Sequence, residues 1–126
     1  MNPQTNASAE LPIEAEIFEL FKKEIEKLKD TPLNKIISVI CSATNIDRAD
    51  VESENRKHEI VAARQLCCYY AKIITGHSLA YIGKAIGSKD HSTVLHSVRT
   101  INNRIETKDP LVMWMLNKIQ QELNLN

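Results

Sequence analysis

The sequence GSKDHSTVLHSVRTI, from Gly87 to Ile101, has the spacing of a helix with one apolar side and one polar, basic side. On a helical wheel the apolar residues share a narrow sector with Leu95 at its edge; they are Val94, Val98, Ile101 and Ile105. The polar residues lie opposite; they are Ser92, His96, Arg99 and Asn103. Asp90 and Ser92 hold N-cap or first-turn positions, and Lys89 precedes them with its charge free to reach outward. Such a face fits the major groove of a nucleic-acid duplex.

The residues before Gly87 predict a short helix that leads into a tight turn. The segment HSLAYIGKAI, from His77 to Ile86, has Ser78 as a candidate N-cap and apolar residues at helical spacing. Gly87 supplies a left-handed stop. A short helix, a turn of about three or four residues that starts at glycine, and a longer helix make up the layout of a helix-turn-helix. We therefore predict a helix-turn-helix over residues 78–106.

The composition predicts one all-α domain. The 126 residues include three glycines, four prolines and few aromatic residues, and no alternating strand pattern is present. No apolar run approaches the roughly 20 residues that cross a bilayer. The polar start at residues 1–10 is expected to be disordered, and it lacks the basic and apolar regions of a signal peptide. We therefore expect a soluble, cytoplasmic protein without a membrane partner.

The cysteines and histidines indicate neither a disulfide framework nor a metal site. The three cysteines are an odd number, and adjacent Cys67 and Cys68 point to different sides of a helix. There is no CxxC, and His91 and His96 are five residues apart, which misses the one-face spacing of an HExxH pair. We expect no metal, and we expect Cys41 to be an inert residue of the core.

The charges are unevenly distributed although the net charge is zero. Residues 1–53 carry six basic and ten acidic side chains, whereas residues 54–104 carry eight basic and three acidic ones, a net charge of +5. Residues 105–126 carry two basic and three acidic side chains. A basic middle between acidic flanks indicates one cationic surface, and a mere scatter of surface charge is the alternative.

Apolar periodicity predicts the remaining helices, which run from 11 to 30, from 33 to about 43, from 48 to 51, from 58 to 75 and from 111 to 123. The helix at 33–43 is expected to bury Ile36, Ile37, Val39 and Ile40. Gly76 should end the helix at 58–75, whose inward residues are expected to be Ile60, Ala63, Leu66, Cys67, Tyr70, Ile73 and Ile74, with Arg64, Cys68 and Lys72 on the other side. The last helix is expected to place Leu111, Trp114, Met115, Leu116, Ile119 and Leu123 in the core.

The predicted helix at residues 11–30 is amphipathic. Its apolar stripe consists of Ile13, Ile17, Leu20, Phe21, Ile25 and Leu28, and Glu19 and Lys23 on the other side have the favourable i,i+4 order. Packing on its own domain is about as well supported as self-association or binding of a partner protein, because the segment holds fewer heptads than a coiled coil usually needs.

Several short motifs resemble a known family. They are ARQ at 63–65, AK at 71–72, HSL..IG at 77–83 and, most specifically, G.KDHSTVLH at 87–96. From about Ile36 to Ile119 the chain resembles the C-terminal, DNA-binding domain of the bacterial replication initiator DnaA. The resemblance implies a helical bundle, Trp repressor-like in its helix-turn-helix, that binds double-stranded DNA at DnaA-box-like sites and is nucleoid-associated. The DNA-binding domain would span residues 31–126. The N-terminal helix lies outside the resemblance and, with Met1, favours a free-standing protein over a fragment.

The resemblance also implies nine DNA-binding residues. Arg56 matches the arginine that enters the minor groove beside the box. The signature loop and helix start that face base edges and phosphates are matched by Lys89, Asp90, His91, Ser92 and Thr93. Positions on the phosphate side are matched by Arg64, Lys72 and His96. Lys89 would reach guanine O6 or N7, Asp90 would accept from a cytosine amine, and the Thr93 methyl would meet a thymine methyl.

The chain departs from the family pattern at several positions and lacks one motif. Lys89 and Ser92 stand where arginine and threonine are usual, which removes a bidentate fork and a methyl group, and Ala80 replaces a usual proline. No GxxxxGK[ST] sequence is present, so we expect no bound nucleotide and no other cofactor.

Two other classes of function remain beside DNA binding. A protein-interaction module that keeps the fold without binding DNA is compatible with the zero net charge and with the apolar stripe of residues 11–30. An enzyme would need a site such as Asp90, His91 and Ser92. These residues are consecutive at a helix start and are not expected to face one another as nucleophile, base and orienter.

Overall fold

The computed structural model describes residues 31–125. The predicted disordered start at 1–10 and the predicted amphipathic helix at 11–30 lie outside the described residues. Within 31–125 every regular element is a helix, so the all-α prediction is confirmed. The helices are α1 (Leu33–Thr44), α2 (Arg48–Glu52), α3 (His58–Thr75), α4 (Leu79–Ala85), α5 (His91–Glu106) and α6 (Pro110–Leu125).

Helix α3 lies at the centre of the domain and contacts each of the other five described helices. Its buried residues are Ile60, Ala62, Ala63, Leu66, Cys67, Cys68, Tyr70 and Ala71. Gly76 ends the helix in the left-handed conformation with φ 69°, and its N–H donates to the carbonyl oxygen of Lys72 at 3.2 Å. The bounds predicted for α3 from the sequence are confirmed at both ends.

Helices α1 and α6 pack on each other and on α3. The apolar residues predicted to be inward in α1 are buried; they are Ile36, Ile37, Val39 and Ile40. Met115, Ile119 and Leu123 of α6 are buried as predicted, and Val112 is buried with them. The three cysteines are buried and form no disulfide; burial was predicted for Cys41 and Cys67 but not for Cys68.

Three apolar side chains lie elsewhere than the sequence predicts. Cys68 was expected on the polar side of α3 but is only 1% exposed, because α5 packs over this side and the Ser97 hydroxyl hydrogen-bonds the thiol. Trp114 was expected in the core but is 50% exposed, because α6 turns Val112 and Met115 inward and leaves the indole outside. Ile73, also expected to be inward, lies in the last turn of α3 and is 37% exposed.

The turn between α4 and α5 folds back onto α4. Ser78 caps α4 as predicted, since its hydroxyl accepts the Tyr81 N–H at 3.1 Å. The Lys89 N–H donates to the carbonyl oxygen of Gly83 at 2.8 Å, and Gly87 adopts the predicted left-handed conformation with φ 80°. A Cβ atom on Gly83 would overlap the carbonyl oxygen of Lys89. The absence of a side chain at Gly83 therefore sets how closely α5 approaches α4.

Candidate nucleic-acid interface

Helix α5 presents a polar side to solvent along its whole length. The exposed side chains of its first turns and outer side, called the recognition face below, are His91, Ser92, Thr93, His96, Arg99 and Asn103. On the opposite side Val94 and Ile101 are fully buried against the domain. The amphipathic pattern of the sequence thus fixes the rotation of α5, because turning the helix would expose this apolar side.

Asp90 holds the N-cap position of α5, with an extended backbone at φ −69° and ψ 151°. Its carboxylate does not cap the helix. Instead it accepts a hydrogen bond from the Ser92 hydroxyl at 2.5 Å and lies 3.2 Å from His91 Nδ1. The hydrogen bond from Ser92, more than the neighbouring His91, holds the pKa of Asp90 below its usual range. The group at the start of the recognition face is therefore a carboxylate, which accepts hydrogen bonds and donates none.

The same three residues do not have the arrangement of a catalytic triad. In a triad the imidazole lies between the hydroxyl and the carboxylate. Here the Asp90 carboxylate lies between Ser92 and His91, so the imidazole is not placed to take the proton of the hydroxyl.

Lys89 does not reach outward, and this expectation from the sequence is wrong. Its Nζ donates to the carbonyl oxygens of Glu52 at 3.1 Å and Ser53 at 2.8 Å, and to the Glu54 carboxylate at 3.0 Å. The Lys89 side chain is only 8% exposed, and a base edge would have to replace these three acceptors to be contacted. Lys89 therefore joins the turn before α5 to the segment that follows α2.

Arg64 likewise points into the domain, although the sequence places it on the phosphate side. Its guanidinium donates to the carbonyl oxygens of Val51 at 2.7 Å, Asp50 at 3.1 Å and Asn55 at 2.9 Å. These acceptors lie at the end of α2 and just beyond it. Arg64 thus gives a donor to the Val51 carbonyl in the last turn of α2 and to the Asn55 carbonyl beyond it, and it adds a further donor to the Asp50 carbonyl, which also accepts from Ser53.

Residues 53–57, called the basic loop below, carry Arg56 and Lys57 to the surface. Both side chains are exposed and make no hydrogen bond or ion pair within the described part of the chain. The loop is ordered by local hydrogen bonds from the Asn55 N–H to the Ser53 hydroxyl at 3.0 Å and from the Lys57 N–H to the Asn55 side chain at 2.9 Å. Arg56 therefore has the exposure that a groove-binding arginine requires.

Lys72 and His96, the other two predicted phosphate contacts, differ in how accessible they are. Lys72 is half-buried in the last turn of α3, and its Nζ donates to the carbonyl oxygen of His77 at 3.0 Å. His96 is exposed on α5, and its Nε2 lies 3.3 Å from the Thr100 hydroxyl. His96 is open to a ligand, whereas Lys72 would have to share its ammonium with a carbonyl group.

The cationic surface is smaller than the sequence suggests. Of the eight basic residues between 54 and 104, four bond within the domain: Arg64, Lys89 and Arg104, and, through one carbonyl group, Lys72. The exposed ones are Arg56, Lys57, Lys84 and Arg99, to which half-buried Lys72 is added. Lys84 of α4 was not singled out as a candidate. On the helical wheel Lys84 lies opposite Leu79, Ile82 and Ile86, and this position indicates an exposed cation.

None of the helices in the described region is long and apolar enough to span a membrane. Among residues 31–125 there is also no group of three or more His, Cys, Asp or Glu side chains that could hold a metal ion.

The described residues form a buried core that carries a capped short helix, a tight turn and a longer helix with an exposed polar side. Together these features define a helix-turn-helix domain of the DNA-binding type. Residues 33–101 match the family model described as the bacterial DnaA protein helix-turn-helix. The chain therefore belongs to this family, and the resemblance noted from the sequence is confirmed. Membership supports DNA binding by the domain.

The relatives that the chain matches are chromosomal replication initiator proteins DnaA. That of Bacteroides fragilis is 40% identical over 78 residues, which are 62% of this chain and 16% of the relative. That of Bacteroides thetaiotaomicron is 38% identical over 78 residues, 62% of this chain and 17% of the relative. That of Flavobacterium psychrophilum is 33% identical over 115 residues, 91% of this chain and 23% of the relative. The chain thus spans less than a quarter of the length of these relatives.

The match to the Flavobacterium psychrophilum protein also bears on the N-terminal segment. Its 115 aligned residues exceed the 96 residues from 31 to 126, so the similarity extends into residues 1–30. The expectation that the resemblance stops short of the N-terminal helix is therefore wrong for this relative.

Proposed function

We propose that this domain binds double-stranded DNA at DnaA-box-like sites, without catalysis and without a nucleotide, as part of replication initiation or its regulation. The observation that carries the proposal is the recognition face, whose first turn exposes three polar side chains directly after the helix-turn-helix turn. They are His91, Ser92 and Thr93. An α-helix presented in this way fits the width of the major groove, and its N-terminal residues reach the base edges.

The assignment of base contacts follows from the chemistry of the exposed groups. The Asp90 carboxylate is an acceptor for a cytosine amine, and the Thr93 methyl group matches a thymine methyl. The basic loop supplies Arg56 for the minor groove, which attracts arginine where it is narrow. Arg99 and Lys84 take the place of Arg64 as phosphate contacts, because the Arg64 guanidinium bonds to backbone carbonyls.

The test is fluorescence anisotropy with a labelled duplex that carries a DnaA box and with a scrambled duplex of equal length, at several salt concentrations. We expect tighter binding to the box. The five available cations limit the slope of log K against log salt to about −4.5, whereas all eight basic residues between 54 and 104 would give about −7. Equal affinity for both duplexes at every salt concentration would refute box recognition, and no binding at low salt would refute DNA binding.

Two variants separate base contacts from phosphate contacts. We expect Thr93→Ala to lower the ratio of box to scrambled affinity by roughly fivefold, about 1 kcal/mol, because it removes a methyl contact to a base. Arg99→Ala should weaken both duplexes alike and make the salt slope shallower by about 1. Lys118→Ala on α6 is the matched control, since it removes a cation that lies over Trp114 and is not part of the recognition face. An unchanged ratio in Thr93→Ala would contradict the assigned contact.

A further inference from the structure

The helix-turn-helix turn and the basic loop are in direct contact. Lys89 Nζ bonds to Glu52 and Ser53 carbonyl oxygens and to the Glu54 carboxylate. A Cβ atom added to Gly87 would overlap the carbonyl oxygen of Glu52, so the two backbones touch at this point as well. The two segments are far apart in sequence, since the residues to which Lys89 bonds precede it by 35 to 37 positions.

The contact uses the whole hydrogen-bonding capacity of Lys89. An ammonium group has three N–H donors, and three acceptors lie within 3.1 Å of Nζ. Two of them are main-chain carbonyls, which fix a position of the backbone rather than of one flexible side chain. Glu54 contributes less, because its side chain is 89% exposed and its ion pair is screened by solvent.

Arg64 holds both ends of the same segment, on either side of the residues 52–54 to which Lys89 bonds. Its guanidinium bonds to Asp50, Val51 and Asn55 carbonyl oxygens from the side of α3. The segment from 50 to 55 is therefore fixed between two buried or half-buried cations. Arg56 is the next residue, and its direction follows from the position of Asn55.

We propose that Lys89 is a positioning residue which, by bonding to the 52–54 backbone, sets the distance and direction of Arg56 relative to the start of α5. Lys89 acts on specificity through Arg56 and does not touch the bases itself. The inference rests on the proposed function, because the distance between Arg56 and α5 affects DNA affinity only if both bind the same duplex at the same time. The geometry of a duplex fixes the distance between its minor groove and the adjacent major groove. A rigid distance between Arg56 and α5 therefore favours DNA sites at which Arg56 and α5 fit their grooves at the same time.

The first experiment measures the loop in the free protein. Amide hydrogen exchange is followed at Asn55 and Lys57, whose N–H groups are hydrogen-bonded within the loop. We expect Lys89→Met to speed exchange at these two amides while the amides of α3 keep their protection. Lys84→Met is the matched control, since it removes the same charge from an exposed site and leaves the loop untouched. Unchanged exchange in Lys89→Met would overturn the proposal.

The second experiment is a double-mutant cycle of Arg56→Ala and Lys89→Met, read as affinity for the box duplex. Because Lys89 acts through Arg56, we expect each single variant to bind about tenfold more weakly and the double variant to be little weaker than Arg56→Ala alone. Lys89→Arg should restore most of the affinity, because its guanidinium again donates to the carbonyl oxygens. Losses that multiply in the double variant would mean that Lys89 contacts DNA independently, and would overturn the proposal.

The outcomes separate the two levels of inference. If the wild-type protein binds no duplex, the proposed function fails and this proposal fails with it. If the wild type prefers the box but the losses multiply, only the positioning role of Lys89 fails. Should Lys89→Met not fold, Lys89→Gln takes its place in both experiments, because its shorter side chain with two N–H donors cannot serve the three acceptors that surround Nζ. The same results then decide the proposal.

Discussion

Replacement of Gly83 by alanine tests whether the close approach of α4 and the turn is required. Glycine inside a helix is ordinarily unfavourable, and Gly→Ala there typically adds about 1 kcal/mol of stability. In this domain the new methyl group would overlap the backbone carbonyl oxygen of Lys89 and approach Val94 at 3.4 Å. A backbone atom cannot rotate away as a side chain does, so the turn itself would have to move.

The expected cost exceeds the gain in helix propensity. Forcing a methyl group into a closed contact costs roughly 1–3 kcal/mol. Movement of the turn also breaks the 2.8 Å hydrogen bond from the Lys89 N–H to the Gly83 carbonyl, which costs about 1 kcal/mol. Subtracting the propensity gain of about 1 kcal/mol leaves a net loss of roughly 1–3 kcal/mol.

Urea denaturation followed by far-UV circular dichroism measures this loss. Ala80→Gly in α4 calibrates the propensity term, because Ala80 is exposed and its change alters only the helix. Gly76→Ala isolates backbone strain, since φ is 69° there but no atom lies within 4 Å of the added Cβ. We expect Gly83→Ala to weaken DNA binding in addition, and Gly76→Ala to leave it unchanged. A Gly83→Ala variant as stable as the wild type, or more stable, would refute the reasoning.

Three further predictions concern groups outside this contact. Burial raises the pKa of Cys68 from 9.0 to about 11, so the thiol's contribution to stability is complete below pH 9 and is lost as the pH rises towards 11. In Cys68→Ala the free energy of unfolding should therefore decline less steeply at alkaline pH. Ser92→Ala should raise the pKa of Asp90 towards its ordinary value in an NMR titration, because the strongest hydrogen bond to the carboxylate is lost. Met115→Ala should cost roughly 2–5 kcal/mol in urea unfolding and Trp114→Ala clearly less, since the indole is half exposed.

Features set by a residue's own local chemistry were predictable from the sequence. The end of α3 at Gly76 depends on the readiness of glycine to adopt a positive φ. The cap of α4 depends on the Ser78 hydroxyl, which accepts a hydrogen bond from the N–H group three residues later. The buried side of α5 follows from the spacing of Val94 and Ile101 alone. Such signals lie within a few residues of the feature that they determine.

Features set by contacts between distant segments were not predictable. The partners of Lys89 and Arg64 are mostly main-chain carbonyl groups at 50–55, and every residue carries such an acceptor, so no sequence pattern marks them. Cys68 was misplaced for a related reason. Its side of α3 looks polar in sequence, but α5 crosses there and buries the thiol beside Ser97.

The inward position of Lys89 changes what the departures from the family pattern mean. Read from the sequence, lysine in place of the usual arginine removes a bidentate fork from the bases. In the structure three carbonyl and carboxylate oxygens surround Nζ, and the three donors of an ammonium group suit this site, so the change costs no base contact. Ser92 is different, because it lies exposed on the recognition face and its hydroxyl is held by Asp90. Any difference in direct base contacts that these two departures cause must therefore come from Ser92 and from the carboxylate that it orients.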